Sequence, residues 1–562
     1  MIWRSLILAL IVGHAHTRYV WSDHLYDELE HLLVDQQGFN SGANIKRAIE
    51  PCTNYVNGPQ TLGRTTAAQW LRVAFREQIS SYDSLYLPLF SSQMTPDDFS
   101  TADVAAGTGG LDASIGWETE REENDGSAFN DTLSFFAPFV NRHVSMADMI
   151  ALGVITSIGS CSSPSIHVPL RGGRIDATEG GAFGVPAPET DIQTTLDQFE
   201  QAGFKQQDSI ALTACGHTLG SVHHAGFPQV VGPEAVTPNN TGGGEHFDST
   251  LDVFDILVVN EYLEGTGKRG GPLVTTDNVT VRSDLRLYES DNNATMRGLS
   301  DSTEHFVSRC ISLMARMLDT VPSSTVLSDV ISPVDVKPVN VSLDLMEDES
   351  GQHILFSGFI RLLSTTFSEN TTLQISWLDR TGRSSSVFVT EAKYDAAVQK
   401  GSGMFGDTFF HAFNTTIDPS LGISFFNVTV NDPTTNQSDV SADIVSGYPI
   451  EDRVFLMKSR STVDDEGNAG VTAAVFSSSS QTIRNVSATF SFPTPQIGTM
   501  SPNISTLSLQ LTSLKSTDSG YAVFNASTQL PSGIPNAYQI TVDVAASLGD
   551  EEITDTFRRI KS

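Results

Sequence analysis

The stretch Ile210-Ala-Leu-Thr-Ala-Cys-Gly-His-Thr-Leu-Gly220 decides how the first half of this chain is read. Its apolar run has helical texture over Ser209 to Gly216, and Gly220 follows where a helix would stop. His217 sits at the end of the run. A histidine among apolar residues is either a core side chain with its ring nitrogens satisfied or a metal ligand, and the stretch alone leaves both open.

Around it the pattern from about Asp23 to Val321 is mostly helical. Asp23-His-Leu-Tyr-Asp-Glu-Leu-Glu-His-Leu-Leu33 puts Leu25, Leu29, Leu32 and Leu33 on one helical face. Thr65 to Phe75, Leu133 to Val140, Met146 to Ile158 and Val253 to Leu263 follow the same logic. Near Ser332-Pro333 the texture changes to short alternating runs, such as Val339-Asn-Val-Ser-Leu-Asp-Leu345, Leu373-Gln-Ile-Ser-Trp377 and Phe425-Phe-Asn-Val-Thr-Val430. Polar turns at regular intervals between such runs predict β-sandwich modules. The expected organisation is therefore multidomain: a mainly α domain over 20–330, then an all-β region as two modules, 335–447 and 448–562.

The whole chain is acidic, with 33 Lys+Arg against 66 Asp+Glu and a net charge of −33. Such a surface repels phosphate backbones and excludes nucleic acid as an expected partner. Residues 1–15, with Arg4 before the apolar run Ser5 to Val12 and the small residue Ala15, read as a signal peptide. That run is too short to span a bilayer, and no second one is long enough. Twelve glycosylation sequons, at Asn130, Asn239, Asn278, Asn293, Asn340, Asn370, Asn414, Asn427, Asn436, Asn485, Asn503 and Asn525, agree with a secreted glycoprotein. Four cysteines allow at most two disulfides, and none has the CxxC spacing of a zinc ribbon.

Ala214-Cys-Gly-His-Thr-Leu-Gly220 resembles the proximal-histidine motif of the haem peroxidases of plants, fungi and bacteria. Other segments match that family in order over roughly 20–330. The nearest likeness is to secreted fungal members with β-rich C-terminal extensions. The resemblance implies haem b as cofactor, His217 as iron ligand, and hydrogen peroxide plus a small or polymeric reducing substrate as partners. Phe247-Asp-Ser-Thr-Leu-Asp-Val-Phe-Asp255 resembles the segment that holds a proximal calcium, with Thr218, Asp248, Thr250, Val253 and Asp255 as ligands and Phe247 against the haem. Hard oxygen donors at this density suit calcium. Gly109-Gly-Leu-Asp-Ala-Ser-Ile115 resembles the distal calcium loop, with Asp98, Gly110, Asp112 and Ser114 at ligand positions. Glu118 and Asn124 match the pair that ties down the distal helix. Leu285-Arg-Leu-Tyr-Glu-Ser-Asp291 resembles the stretch carrying the aspartate that hydrogen-bonds the proximal histidine. Asp291 is assigned that role, with Asp284 as its rival. Cys161 stands where related enzymes carry a bridging cysteine, with Cys52 as a possible partner.

The distal motif departs from the family. It should read Leu-Arg-x-x-Phe-His-Asp, with the Arg polarising the peroxide O–O bond and the His moving a proton between its oxygens. Here Leu71-Arg72-Val-Ala-Phe75 is followed by Arg76-Glu77, and Asp97-Asp98 resumes the pattern. Arg72 and Phe75 are retained and the histidine is absent. Residues 76–96 thus read as an insertion. One origin is a retained intron, because codons for Arg76-Glu-Gln and for Pro96-Asp can hold donor and acceptor signals whose removal restores a histidine codon in frame. Two functions follow: a hydrogen peroxide-dependent peroxidase, or a haem-binding or cell-surface interaction protein in which the β modules carry the function.

Overall fold

The computed structural model describes residues 23–76, 102–121, 127–181, 187–349, 351–382, 388–433, 447–478, 481–516, 519–531 and 539–560. The signal peptide, the insertion after Arg76, Asp98 and Asn124 lie outside them.

The N-terminal part is helical. Its helices are α1 (His24–Val34), α2 (Ile45–Ile49), α3 (Thr66–Arg76), α4 (Ala128–Phe136), α5 (Met146–Ser160), α6 (Ile192–Gln201), α7 (Gln206–His217), α8 (Leu257–Glu264), α9 (Pro272–Thr275), α10 (Ser283–Glu289), α11 (Ala294–Leu299) and α12 (Thr303–Leu318). A short strand β1 (Gln37–Gly38) follows α1, and a small hairpin β2 (Ser221–His223) and β3 (Gly244–His246) follows α7. One apolar cluster from Leu29 to Ile331 fills this part.

α5 is its axis, because it is apolar on every side and buried from Met146 to Gly159. Ser145 caps it by accepting the Asp148 N–H (3.0 Å), and the Asp176 carboxylate takes the N–H groups of Met146 and Ala147 (both 2.9 Å). The expected helix over Val253 to Leu263 starts later, at Leu257, because the Asp255 carboxylate accepts the Leu257 N–H (2.8 Å) and leaves Val253–Ile256 as a turn. Two disulfides brace the helices, Cys52–Cys161 from the segment after α2 to the end of α5, and Cys215–Cys310 from α7 to α12. No helix among the described residues is long and apolar enough to cross a membrane.

The C-terminal part is built of antiparallel strands. The first unit has β4 (Val336–Asp348), β5 (Gly351–Leu363), β6 (Thr372–Leu378), β7 (Phe388–Ala392), β8 (Lys400–Gly403), β9 (Gly406–Ile417), β10 (Phe425–Asn431) and β11 (Tyr448–Pro449). They form two sheets, ordered β1-β8-β9-β5-β4 and β11-β10-β6-β7, over one apolar cluster. The second unit has β12 (Val454–Leu456), β13 (Thr462–Val463), β14 (Asn468–Phe476), β15 (Ile483–Thr494), β16 (Asn503–Gln510), β17 (Thr512–Ser516), β18 (Tyr521–Gln529), β19 (Thr541–Leu548) and β20 (Glu551–Arg559). Its sheets run β12-β14-β18-β17, with β13 also on β14, and β16-β15-β19-β20. Because Tyr448 and Pro449 pair with β10, the change of unit falls between Ile450 and Arg453 rather than at 447.

The helical part and the strands are joined through α1 and β1. β1 adds an edge strand to the first sheet. Arg361 of β5 is fully buried and meets Glu30 and Asp35 of α1, while Lys337 of β4 reaches Glu30 at 2.7 Å. Buried charges persist only when paired and hydrogen-bonded. Glu30 satisfies this with two cations, which hold its carboxyl at about 2 against the effect of burial. The second strand unit reaches the helices through Arg142–Asp543 and Arg559–Glu28.

Candidate functional site

His217 is the last residue of α7. Buried from Asp208 to Cys215, this helix is held at its start by Asp208, which pairs with Arg309 and Arg316 of α12, and near its end by the Cys215 disulfide. The ring of His217 stacks on Phe247 with centroids 3.7 Å apart and planes 5° from parallel. Gly271 makes room for that phenyl ring: it has φ +89, and a Cβ there would lie 2.6 Å from Cδ1 of Phe247.

The Nδ1 edge of the ring faces α10. Asp284 Oδ2 lies 3.1 Å from Nδ1, and the Tyr288 hydroxyl lies 3.5 Å away. Asp284 Oδ2 is buried and has no hydrogen-bond partner, since the contact has the distance of an ion pair without the angle of a hydrogen bond. A small turn of the imidazole would satisfy it. Asp284 and Tyr288 stand four residues apart and so share one face of α10. Asp291 is elsewhere. Its carboxylate accepts the N–H groups of Ala294 and Thr295 (both 2.9 Å) at the start of α11, so the aspartate beside the histidine is Asp284 and the assignment to Asp291 is corrected. The polar contacts of the His217 ring are at Nδ1, and among the described residues none hydrogen-bonds Nε2.

α3 faces the end of α7. The Phe75 ring lies against Gly216, where a Cβ would come within 2.6 Å of it. Arg72, one turn earlier, has its guanidinium carbon 5.0 Å from the centroid of Phe129. His223 of β2 accompanies this pair. Burial, reinforced by Arg64, Arg72 and His246, pushes its imidazole down to about 4, and Ser221 Oγ lies 3.1 Å from its Nε2. Neither Tyr288 nor His223 was assigned a place beside the site from the sequence. For Tyr288 the four-residue spacing from Asp284 was a usable signal.

The expected proximal calcium donors gather next to α7. Thr250 Oγ1 lies 3.2 Å from Asp248 Oδ1 and 3.0 Å from Asp255 Oδ2. Asp248 Oδ2 and Thr218 Oγ1 are buried without partners. Burial pushes the Asp248 carboxyl up to about 7, and Asp255 adds to the effect. Unpaired buried oxygens around a carboxylate are what a hard cation would satisfy. Val253 precedes Phe254, whose N–H donates to the Cys161 carbonyl (2.7 Å), so the turn is fastened to the end of α5.

On the distal side, Asp112 Oδ1 accepts both the N–H (3.0 Å) and the hydroxyl (2.6 Å) of Ser114. Gly110 has φ +110, and a Cβ there would meet the Thr320 carbonyl at 2.5 Å. Glu118 pairs with Arg121 at 2.9 Å and accepts the Gly181 N–H at 2.5 Å. Among the described residues no three His, Cys, Asp or Glu side chains gather as a metal cluster. The expected proximal donors include only two carboxylates, Asp248 and Asp255, beside the hydroxyls of Thr218 and Thr250.

Residues 52–302 match the peroxidase family model. The chain is 36% identical over 414 residues to a WSC domain-containing protein of Arthroderma benhamiae, covering 72% of this chain and 52% of that one. That alignment is longer than the segment matched by the family model. Peroxidase 36 of Arabidopsis thaliana is 33% identical over 178 residues, 30% of this chain and 47% of its own length. Putative L-ascorbate peroxidase 6 of the same plant is 33% identical over 130 residues, 22% of this chain and 38% of its own. The chain thus spans about half the length of the curated relatives it matches, or less.

Proposed function

We propose that the helical part is a haem-binding, hydrogen peroxide-dependent oxidoreductase held through His217, and that this chain is impaired at its distal side. The observation carrying this reading is the set around His217: Phe247 stacked on one face, Asp284 at Nδ1, and Nε2 without a partner, opposite a helix bearing Arg72. Bound haem supplies an iron that activates peroxide and draws electrons from a donor. After a small turn of the imidazole, Asp284 would accept the ring N–H and give the imidazole anionic character, which would favour an oxidised metal. Arg72 keeps its charge at any working pH and is the group to polarise a bound peroxide. Thr218, Asp248, Thr250, Val253 and Asp255 would hold a calcium ion that fixes the end of α7. Asp98, Gly110, Asp112 and Ser114 would hold a second.

The proton step lacks its group. Arg76 stands where the family has a histidine, and a guanidinium does not accept a proton. This favours one alternative, a haem-binding or cell-surface interaction protein whose strand units carry the function. The disulfides and sequons support a secreted location for either reading.

Adding haem to the purified chain should give a Soret band of a histidine-bound iron, and His217→Ala should lose it. A variant that keeps the same five-coordinate spectrum would overturn the ligand assignment. Peroxide turnover by the loaded chain separates the two functions.

A further inference from the structure

Away from that site, a cleft of about 570 Å³ lies where α1 and the two strand units meet. Its size suits a small organic ligand, and such sites favour junctions between domains. Its lining is mostly polar and charged, with an apolar part that includes Val341 and Leu343 of β4, Ile450 and Phe455.

The charges around it do not cancel evenly. Five carboxylates line it, and each is paired with a cation, Lys337 and Arg361 being shared with the buried Glu30. Asp27 is 3.4 Å from Lys337, and Glu28 is 2.5 Å from Arg559. Asp35 is 3.2 Å from Arg361, Glu451 is 2.7 Å from Arg453, and Asp555 is 2.5 Å from Arg558. Lys458 lines the cleft too, yet among the described residues its amine has neither an ion pair nor a hydrogen bond. The neighbouring carboxylate of Asp344 is engaged by the N–H (2.7 Å) and hydroxyl (3.0 Å) of Ser459. His24, on the α1 side, is occupied with the Thr556 hydroxyl (2.8 Å), and His31 with Asp35 (2.9 Å).

We propose that this cleft binds an organic carboxylate, with its anionic end on Lys458 and its apolar body against Val341, Leu343, Ile450 and Phe455. Small-ligand sites combine apolar walls with a few placed polar groups, and here Lys458 is the lining cation without a carboxylate partner among the described residues. An inorganic anion would use the lysine and waste the walls, whereas an apolar ligand would leave the ammonium buried beneath it. Burial, with Arg558 and Arg559 adding to it against Asp555 and Asp344, pushes the Lys458 amine down to about 8. A carboxylate arriving there relieves that repulsion, so binding takes up a proton near pH 8 and weakens as pH rises past it.

The test is calorimetric titration of the full chain with sodium benzoate, and with inorganic phosphate as the second probe. Benzoate should bind one to one, about tenfold more weakly at pH 9 than at pH 7, since one pH unit beyond the lysine's value leaves about a tenth of it charged. Lys458→Met should weaken benzoate at least tenfold. Ile450→Trp fills the cleft and keeps the charge, so it should weaken benzoate as well, and it decides the matter if the methionine variant does not fold. The proposal falls if the native chain does not bind benzoate, or binds it independently of pH between 7 and 9. It also falls if either folded variant binds benzoate as the native chain does, or if phosphate binds as tightly as benzoate.

Discussion

At the end of α7, His217 is flanked by Phe247, Asp284 and Tyr288, and the side-chain oxygens of Thr218 and Asp248 are buried without partners. On the other side, α3 delivers Arg72 and Phe75 and then reads Arg76-Glu77 where the family pattern has His-Asp. The two sides do different chemistry. The first needs only to hold and tune a metal, which a helix end, a carboxylate and a ring can do. The second would also have to move a proton, and the sequence has Arg76 where the family pattern carries the histidine for it. On the proposed function, metal binding and peroxide chemistry would therefore be separable in this chain.

The strongest way to break that comparison is to restore the distal side. Replacing residues 76–97 with one histidine before Asp98 should speed the reaction of the haem-loaded protein with peroxide by about two to four orders of magnitude, the usual worth of a positioned acid–base group. Stopped-flow mixing of both proteins with peroxide measures it. Equal rates would show that a distal base has not been lost.

A second variant pair sharpens the proximal side. Asp284→Asn should change the iron–histidine stretching frequency and lower activity about ten- to hundredfold, as for other partners of metal ligands. Asp291→Asn should leave the frequency unchanged, since that carboxylate caps α11. Resonance Raman spectra of the ferrous proteins distinguish them. Equal shifts in both would remove Asp284 from its role.

Much of the helical part was legible because its signals are local. Leu29, Leu32 and Leu33 fall on the buried face that their spacing predicts. The choice between Asp284 and Asp291 was misread because spacing within a motif says little about which turn of α10 faces the ring. The joints were not legible at all. Gln37–Gly38 has no strand pattern and becomes one by pairing with Ser402 and Gly401. Arg361 lies in a strand whose own sequence does not say that Glu30 and Asp35 will bury it. Long-range charge pairing leaves no periodicity to read.

The smallest expected effect concerns calcium beside α7. A ligand that binds only the folded state at tenfold its dissociation constant stabilises by about 1.4 kcal/mol. For a domain of this size that is a rise in melting temperature of about 3–6 °C. Calcium should produce such a rise in chelator-treated protein, and Asp248→Asn should abolish it. The same variant also separates a lost ligand from simple damage. Asp248 is buried with one oxygen unpaired, and burial already disfavours its charge. An amide of the same shape removes that charge, so metal-free Asp248→Asn should melt no lower than the metal-free native protein. Calcium analysis should fall by one ion per chain alongside. If the variant melts lower without metal and still responds to calcium, Asp248 is a structural side chain, and the proximal side loses its claim to a bound ion.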